Sequence, residues 1–384
     1  NDNVTAFLYR KQFAYNASSV AFGSTPASQG TLSNSVAFPF EDLTWERTRT
    51  YDIGFEMSAW NGLLGVEFDY FYKYTFNILQ SIGGIYPPSL GGHYPAYIND
   101  GTFDNRGFEL VLRHRNRIGK FSYGVTGNLT FARNRILSKQ QADNTLPWKN
   151  VLGSSLGALW GLKSDGLYQT EEELANAPKP IGVQPRLGDI KYVDINGDGA
   201  ITADDYVRIA RSRMPEMMFS LSLDADYKGF DLSVQLQGAA LCDRMLQATW
   251  NNGVADQTPL TVPWYGNYDN APLYLVEGAW RPDNTNAEYP RLSVTKSSAG
   301  NNAQVSDFWK RNGAYLRLKN VVLGYTFPKR WMNRIGIDNL RIYFSGNNLL
   351  TATEFRWIDP ESANVPTGYY PQQRTFTFGV DLSF

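Results

Sequence analysis

Asp194, Asn196 and Asp198 alternate along Asp194-Ile195-Asn196-Gly197-Asp198-Gly199, and this spacing is the sharpest hint of chemistry in the chain. Oxygen-bearing side chains at alternate positions can converge on one hard cation, and a glycine at the sixth position permits the sharp turn of an EF-hand-type calcium loop. The seventh position then supplies the Ala200 carbonyl, and the twelfth is Asp205 where glutamate is usual. Asp194, Asn196, Asp198, Ala200 and Asp205 are therefore expected around Ca2+, at about 2.3–2.6 Å. Lys191-Tyr192-Val193 reads as extended, so the helix pair of a calcium sensor is not expected. The plainer alternative is an Asp/Asn/Gly turn without metal.

Other reactive constellations are scarce. The chain has two histidines, His93 and His114, and one cysteine, Cys242, which leaves little for a two-histidine zinc centre, a Ser/His/Asp triad or a disulfide framework. Carboxylates are plentiful, yet no pair stands out as a glycosidase acid and base. An enzyme is not the expected reading. The net charge of -1, without a long basic run, argues against nucleic acid as a partner. Aromatics in polar stretches offer faces for a sugar or other ligand; the candidates for substrate contact are Trp250, Trp264, Tyr265, Trp280, Trp357 and Tyr369. The same residues could instead anchor large loops or be buried by a docked partner. Arg113, Arg115, Arg317 and Lys319 could line a path, or pair with Glu109, Asp224 or Asp226.

The elements that would position these residues alternate with period 2. Phe376, Phe378, Val380, Leu382 and Phe384 share one face of the last strand, and Thr377, Asp381 and Ser383 the other. The pattern recurs in pairs: 51–60 with 68–76 through Asn61-Gly62, 108–115 with 121–131 through Ile118-Gly119, 219–227 with 230–237 through Lys228-Gly229, and 314–327 with 338–350. In the fourth pair Leu316 and Leu318 are even but Val321, Leu323, Tyr325 and Phe327 are odd, which predicts a β-bulge near Asn320. Long polar stretches, about 78–103, 134–213, 243–312 and 351–371, all fall opposite the tight turns. Short turns at one end and long loops at the other fit an outer-membrane β-barrel, as do 14% aromatics beside only 19% charged residues. No run of 18 apolar residues exists, so a helical span is excluded.

Several blocks resemble the SusC/RagA family of TonB-dependent outer-membrane transporters of Bacteroidetes. They are Leu43-Thr44-Trp45-Glu46, Asp104-Asn105-Arg106-Gly107-Phe108-Glu109, Gly161 to Leu167, Gly188-Asp189-Ile190-Lys191-Tyr192-Val193-Asp194-Ile195-Asn196-Gly197-Asp198-Gly199 and Tyr227-Lys228-Gly229-Phe230-Asp231. Tyr315 to Val321, Leu323-Gly324-Tyr325-Thr326 and Arg374-Thr375-Phe376-Thr377-Phe378-Gly379 complete the set, in the family's order.

The resemblance implies an all-β fold, the C-terminal portion of a 22-stranded plugged barrel, with the four long stretches outside the cell. It implies an importer of glycans or oligopeptides in a Bacteroidetes-type outer membrane, working with a SusD-like surface lipoprotein and energised by TonB through the plug. The plug and the N-terminal barrel half have no counterpart here, the first residue is Asn1, and no signal peptide follows, so the sequence reads as a fragment. Nine to eleven strands are expected. Phe376, Phe378, Val380, Leu382 and Phe384 would face the lipid bilayer and insert the last strand, which would pair with the N-terminal half. The rival expectation is a calcium-stabilised soluble β-sandwich that binds carbohydrate.

Overall fold

The computed structural model describes residues 9–10, 12–21, 29–37, 40–82, 89, 97–142, 144–246, 273–292, 300–355, 359–361 and 372–384. In chain order the strands are β1 (Gln12–Ala21), β2 (Gln29–Ala37), β3 (Arg47–Ala59), β4 (Leu64–Ser81), β5 (Tyr97–Ile118) and β6 (Phe121–Ser138). Short loop strands follow: β7 (Leu159–Gly161), β8 (Ser164–Leu167), β9 (Lys179–Pro180), β10 (Ile190–Tyr192), β11 (Ala200–Ile201) and β12 (Val207–Ala210). The rest are β13 (Met217–Tyr227), β14 (Phe230–Ala240), β15 (Asp243–Met245), β16 (Lys310–Asn312), β17 (Tyr315–Thr326), β18 (Asn339–Thr353) and β19 (Thr375–Ser383).

Nine of these strands form one sheet in the order β3-β4-β5-β6-β13-β14-β17-β18-β19. Every pairing from β6 to β19 is antiparallel. The count lies at the lower end of the expected nine to eleven. Outside this sheet, β1 pairs with β2 in a separate hairpin, and β7 and β8 are short strands of the loops. A sandwich would need two facing sheets of such strands; all nine lie in one. Among the described residues no helix is long and apolar enough to cross a membrane.

The tight turns follow from their residues. Asn61 and Gly62 (φ 56 and 86) and Lys228 and Gly229 (φ 48 and 93) adopt the left-handed backbone that matches hairpin twist. The parity break in β17 is resolved as the bulge expected there. Gln235 faces Asn320 while the next residue, Leu236, faces Leu318, so Lys319 is the extra residue. Leu318 thereby returns to the face that holds Val321 and Leu323, and the apolar side of the strand stays continuous.

The chain divides into two compact units. The first comprises Asn1–Asp52, Phe71–Arg106 and Arg133–Leu156. Asn99 ties it together, donating to the carbonyls of Thr44 (3.0 Å) and Asn77 (2.8 Å) while accepting from the Thr44 N–H (3.0 Å). The second comprises Ile53–Tyr70, Gly107–Ala132 and Gly157–Phe384. One face of its sheet segments is apolar. Phe55, Phe68, Phe108 and Phe131 follow one another across β3 to β6 with ring centroids 5.8–6.1 Å apart. Phe230 meets Tyr325 at 4.6 Å, and Phe344 stacks on Phe376 at 6.0 Å. This belt is uncovered, with Ile53 76% and Phe378 70% exposed.

Candidate functional site

The opposite face of the same strands is polar and cross-linked. Arg113 on β5 makes two hydrogen bonds to the Glu67 carboxylate on β4, a partner that the alternation alone did not single out. Arg341 on β18 donates to both oxygens of Asp231 on β14 (2.6 and 3.0 Å) and to Asp381 on β19 (3.1 Å). The strand between β14 and β18 is β17, and Gly324 makes room there. A Cβ at this position would lie 2.5 Å from Asp231 Oδ1 and 2.7 Å from Arg341 Nη2. Asp224 accepts from Ser233 (2.8 Å), and Ser220 accepts from Asn128 (2.9 Å). A cavity of about 710 Å³ at the tight-turn end is lined by Asn61, Arg115, Arg117, Ser122, Asp224 and Asp226, among others. Such a wall suits a wet interior, because each charge keeps a hydrogen-bonded partner or open space for water.

Arg317 is the most enclosed charge on this face, only 1% exposed. Its guanidinium donates to Asp359 (2.5 Å), Glu361 (2.6 Å) and Thr351 (3.1 Å). The hydroxyl of Tyr315 donates to Glu361 at 2.7 Å, and Arg244 holds the Pro360 carbonyl with two nitrogens at 2.7 and 3.1 Å. Residues 359–361, in the final long loop, are thus fixed to β15 and β17. Phe355 fixes the start of that loop, buried in the apolar cluster described next.

The long connections build a core of their own. Leu162, Leu167, Ile190, Tyr192, Ile201, Trp280, Tyr289 and Trp309 are buried together with Met245 and Leu246. Short ladders of β7 with β12, β8 with β10 and β9 with β11 frame it. Two buried amides bridge the segments at its centre. Asn302 accepts from the Ile190 N–H (2.9 Å) and donates to Asp189 (2.9 Å); Asn301 donates to the Ile190 carbonyl (2.8 Å). Tyr192 donates to the Asn301 carbonyl at 2.6 Å, and the Trp309 indole to that of Asn302 at 2.9 Å. Burial pushes the Asp189 carboxyl above its ordinary pKa, against the pull of Arg186. The run Gly188 to Tyr192 is therefore a structural clamp as much as a motif.

The Asp194–Asp205 loop extends from this clamp. Asp194 accepts from the N–H groups of Gly199 and Gly197, both at 2.7 Å, which hold its carboxyl below the usual carboxylate range, Gly199 most strongly. Asn196 donates to Asp198 (2.9 Å), and Asp198 accepts from Ala200 N–H (2.9 Å). Asp205 is buried, accepting from Ile195 (2.8 Å) and Thr202 (2.8 Å). Among the described residues no three His, Cys, Asp or Glu side chains converge as a metal cluster. The ligand set named from the sequence stands in one loop: Asp205 Oδ1 is taken up by the N–H groups of both Ile195 and Asn196 (2.8 and 3.3 Å), while each Asp198 oxygen accepts one bond and keeps a lone pair for a cation.

Of the expected substrate contacts, Trp280 is in the core, 6% exposed, with its indole donating to Gln169 (3.1 Å) and its ring against Gly188. It packs rather than presenting a face. Trp250, Trp264, Tyr265, Trp357 and Tyr369 lie outside the described residues. Phe376, Phe378, Val380 and Leu382 share the face of the apolar belt, and Arg341 pairs with Asp381 on the other. The Asn301-Asn302 pair and the carboxylates that hold Arg317 carried no periodic signal.

A family model described as TonB dependent receptor-like, beta-barrel, matches residues 2–349. The chain belongs to that family. TonB-dependent receptor P26 of Formosa agariphila is 31% identical over 373 residues, covering 89% of this chain and 35% of the relative. TonB-dependent receptor SusC of Bacteroides thetaiotaomicron is 24% identical over 361 residues, covering 90% and 32%. The chain thus spans about a third of the length of these curated relatives. Among solved structures, one titled "Structure of the RagAB peptide transporter" matches all of this chain and 40% of its own with a TM-score of 0.65 at 22% identity, a likeness of fold. Transmembrane β-barrels have the division of faces seen here, strands apolar on one side and polar on the other.

Proposed function

We propose that this chain is the C-terminal barrel wall and loop portion of an energised outer-membrane importer for large nutrients, glycans or oligopeptides. The single observation that carries the reading is the nine-stranded sheet of a TonB-dependent receptor, with an uncovered apolar belt on one face and ion pairs spanning neighbouring strands on the other. Hydrocarbon accepts the first face and a watery lumen the second. The free edges β3 and β19 pair with the remaining strands of a longer protein, because an unpaired backbone in lipid costs several kcal/mol per group. That remainder also supplies the plug and the link to TonB. The loop module, with its own core, gives a SusD-like lipoprotein a folded surface to dock on, and Ca2+ held by Asp194, Asn196, Asp198, Ala200 and Asp205 stiffens its rim. The chain carries no catalytic role.

Uptake of fluorescent oligopeptides and glycans by cells that carry or lack the full-length gene tests the proposal. Loss of uptake of one ligand class on deletion, with a lipoprotein co-purifying from detergent extracts, is the expected result. Unchanged uptake of every class, with no lipoprotein retained, overturns it.

A further inference from the structure

The connection from β17 to β18 differs from the other turns at its end of the sheet. Those at 60–63, 119–120 and 228–229 are tight reversals. Residues 327–338 instead form a helical turn, Lys329–Met332, that runs into a 3-10 turn, Asn333–Ile335, and ends at Gly336 with φ 72. Met332 is buried, whereas Trp331 is 47% and Ile335 64% exposed. Lys329, Arg330 and Arg334 are exposed beside them, and none forms an ion pair among the described residues. Arg330 lies over the Trp331 ring at 5.8 Å. The turn continues directly from Tyr325 and Phe327, whose rings meet edge to face at 5.0 Å, and Tyr325 belongs to the apolar belt.

The exposed rings and methyls of Trp331 and Ile335 gain by leaving water, while the three cations beside them, without an ion pair among the described residues, are free to meet an anionic partner. They match a membrane interface, where an indole sits at headgroup level and basic side chains meet phosphate. We propose that residues 328–337 are an interfacial anchor for anionic phospholipid headgroups: Lys329, Arg330 and Arg334 take the phosphates while Trp331 and Ile335 enter the acyl boundary. The charge complementarity and the continuity with the belt select an anionic lipid surface as the occupant. The inference rests on the outer-membrane reading above.

The test uses the full-length transporter in phosphatidylethanolamine vesicles containing phosphatidylglycerol, with bromine placed near the carbonyl end of the acyl chains of one lipid or the other. The fluorescence difference between the native protein and Trp331→Phe isolates Trp331. At equal mole fraction, brominated phosphatidylglycerol is expected to quench this signal at least about twofold more than brominated phosphatidylethanolamine. Replacing Lys329, Arg330 and Arg334 together by Gln removes the excess. A Trp331 signal quenched equally by both lipids, or by aqueous iodide and by neither lipid, overturns the anchor. Phe378→Trp in the Trp331→Phe background reports the belt independently. If that probe is quenched by both lipids while Trp331 fails, the anchor alone is wrong; if it too escapes quenching, the outer-membrane reading falls with it.

Discussion

At the scale of single residues, Gly188 shows how a motif position serves packing. Its φ of 81 suits glycine, and a Cβ there would lie 2.2 Å from the Trp280 ring. Gly188→Ala should destabilise the loop module by about 1–3 kcal/mol from backbone strain alone, with the ring displacement added. Faster hydrogen exchange at the Ile190 and Tyr192 amides is the readout; unchanged exchange would show that the turn relaxes freely. The calcium proposal is also a residue-scale claim. Millimolar Ca2+ should slow proteolytic cleavage between 194 and 205, and Asp194→Ala should abolish the slowing. Equal rates with and without calcium mean a metal-free turn. Without calcium, Asp194 gives the loop a pH dependence of defined sign. Its folded pKa is lowered, so its contribution is complete above the unfolded value of about 3.9 and is lost as pH falls through the folded one. Asp194→Asn should flatten the exchange protection of the Gly197 and Gly199 amides across that acidic window.

At the scale of elements, β17 carries both the Lys319 bulge and the Arg317 lock. Removing one partner of a buried ion pair strands the other charges, at a cost of about 3–5 kcal/mol. Arg317→Met should therefore release residues 359–361, measured as increased exchange and protease cutting there, and adding Asp359→Asn and Glu361→Gln should restore part of the protection. No change in the single variant would mean that Arg244 and Phe355 suffice to hold the loop. The bulge was legible from the sequence because apolar parity in a strand has only two values, and its switch between Leu318 and Val321 requires an extra residue. The lock was not. Asp359 and Glu361 sit more than 40 residues from Arg317 in an aperiodic loop, and proximity of that kind leaves no mark in spacing. The Asn301-Asn302 clamp, over 100 residues from Ile190, was hidden for the same reason. Trp280 shows the complementary limit, since an aromatic that anchors a loop and one that greets a ligand read identically until burial separates them.

At the scale of the whole molecule, the sheet is informative because its two faces make opposite demands on solvent. The belt from Phe55 to Phe378 is stable only against something apolar, and the ladder of Arg113, Arg341, Asp231 and Asp381 only against water or other polar groups. Adjacent residues of β19 test this division most directly. In the full-length protein in isolated outer membranes, with Cys242 replaced by Ser, Thr377→Cys and Phe378→Cys variants would be exposed to a water-soluble maleimide. The account predicts labelling of the Thr377→Cys variant and protection of the Phe378→Cys variant, with the protection lost when the membrane is dissolved. Labelling of the Phe378→Cys variant in intact membranes at the rate of its neighbour, or faster, would contradict it.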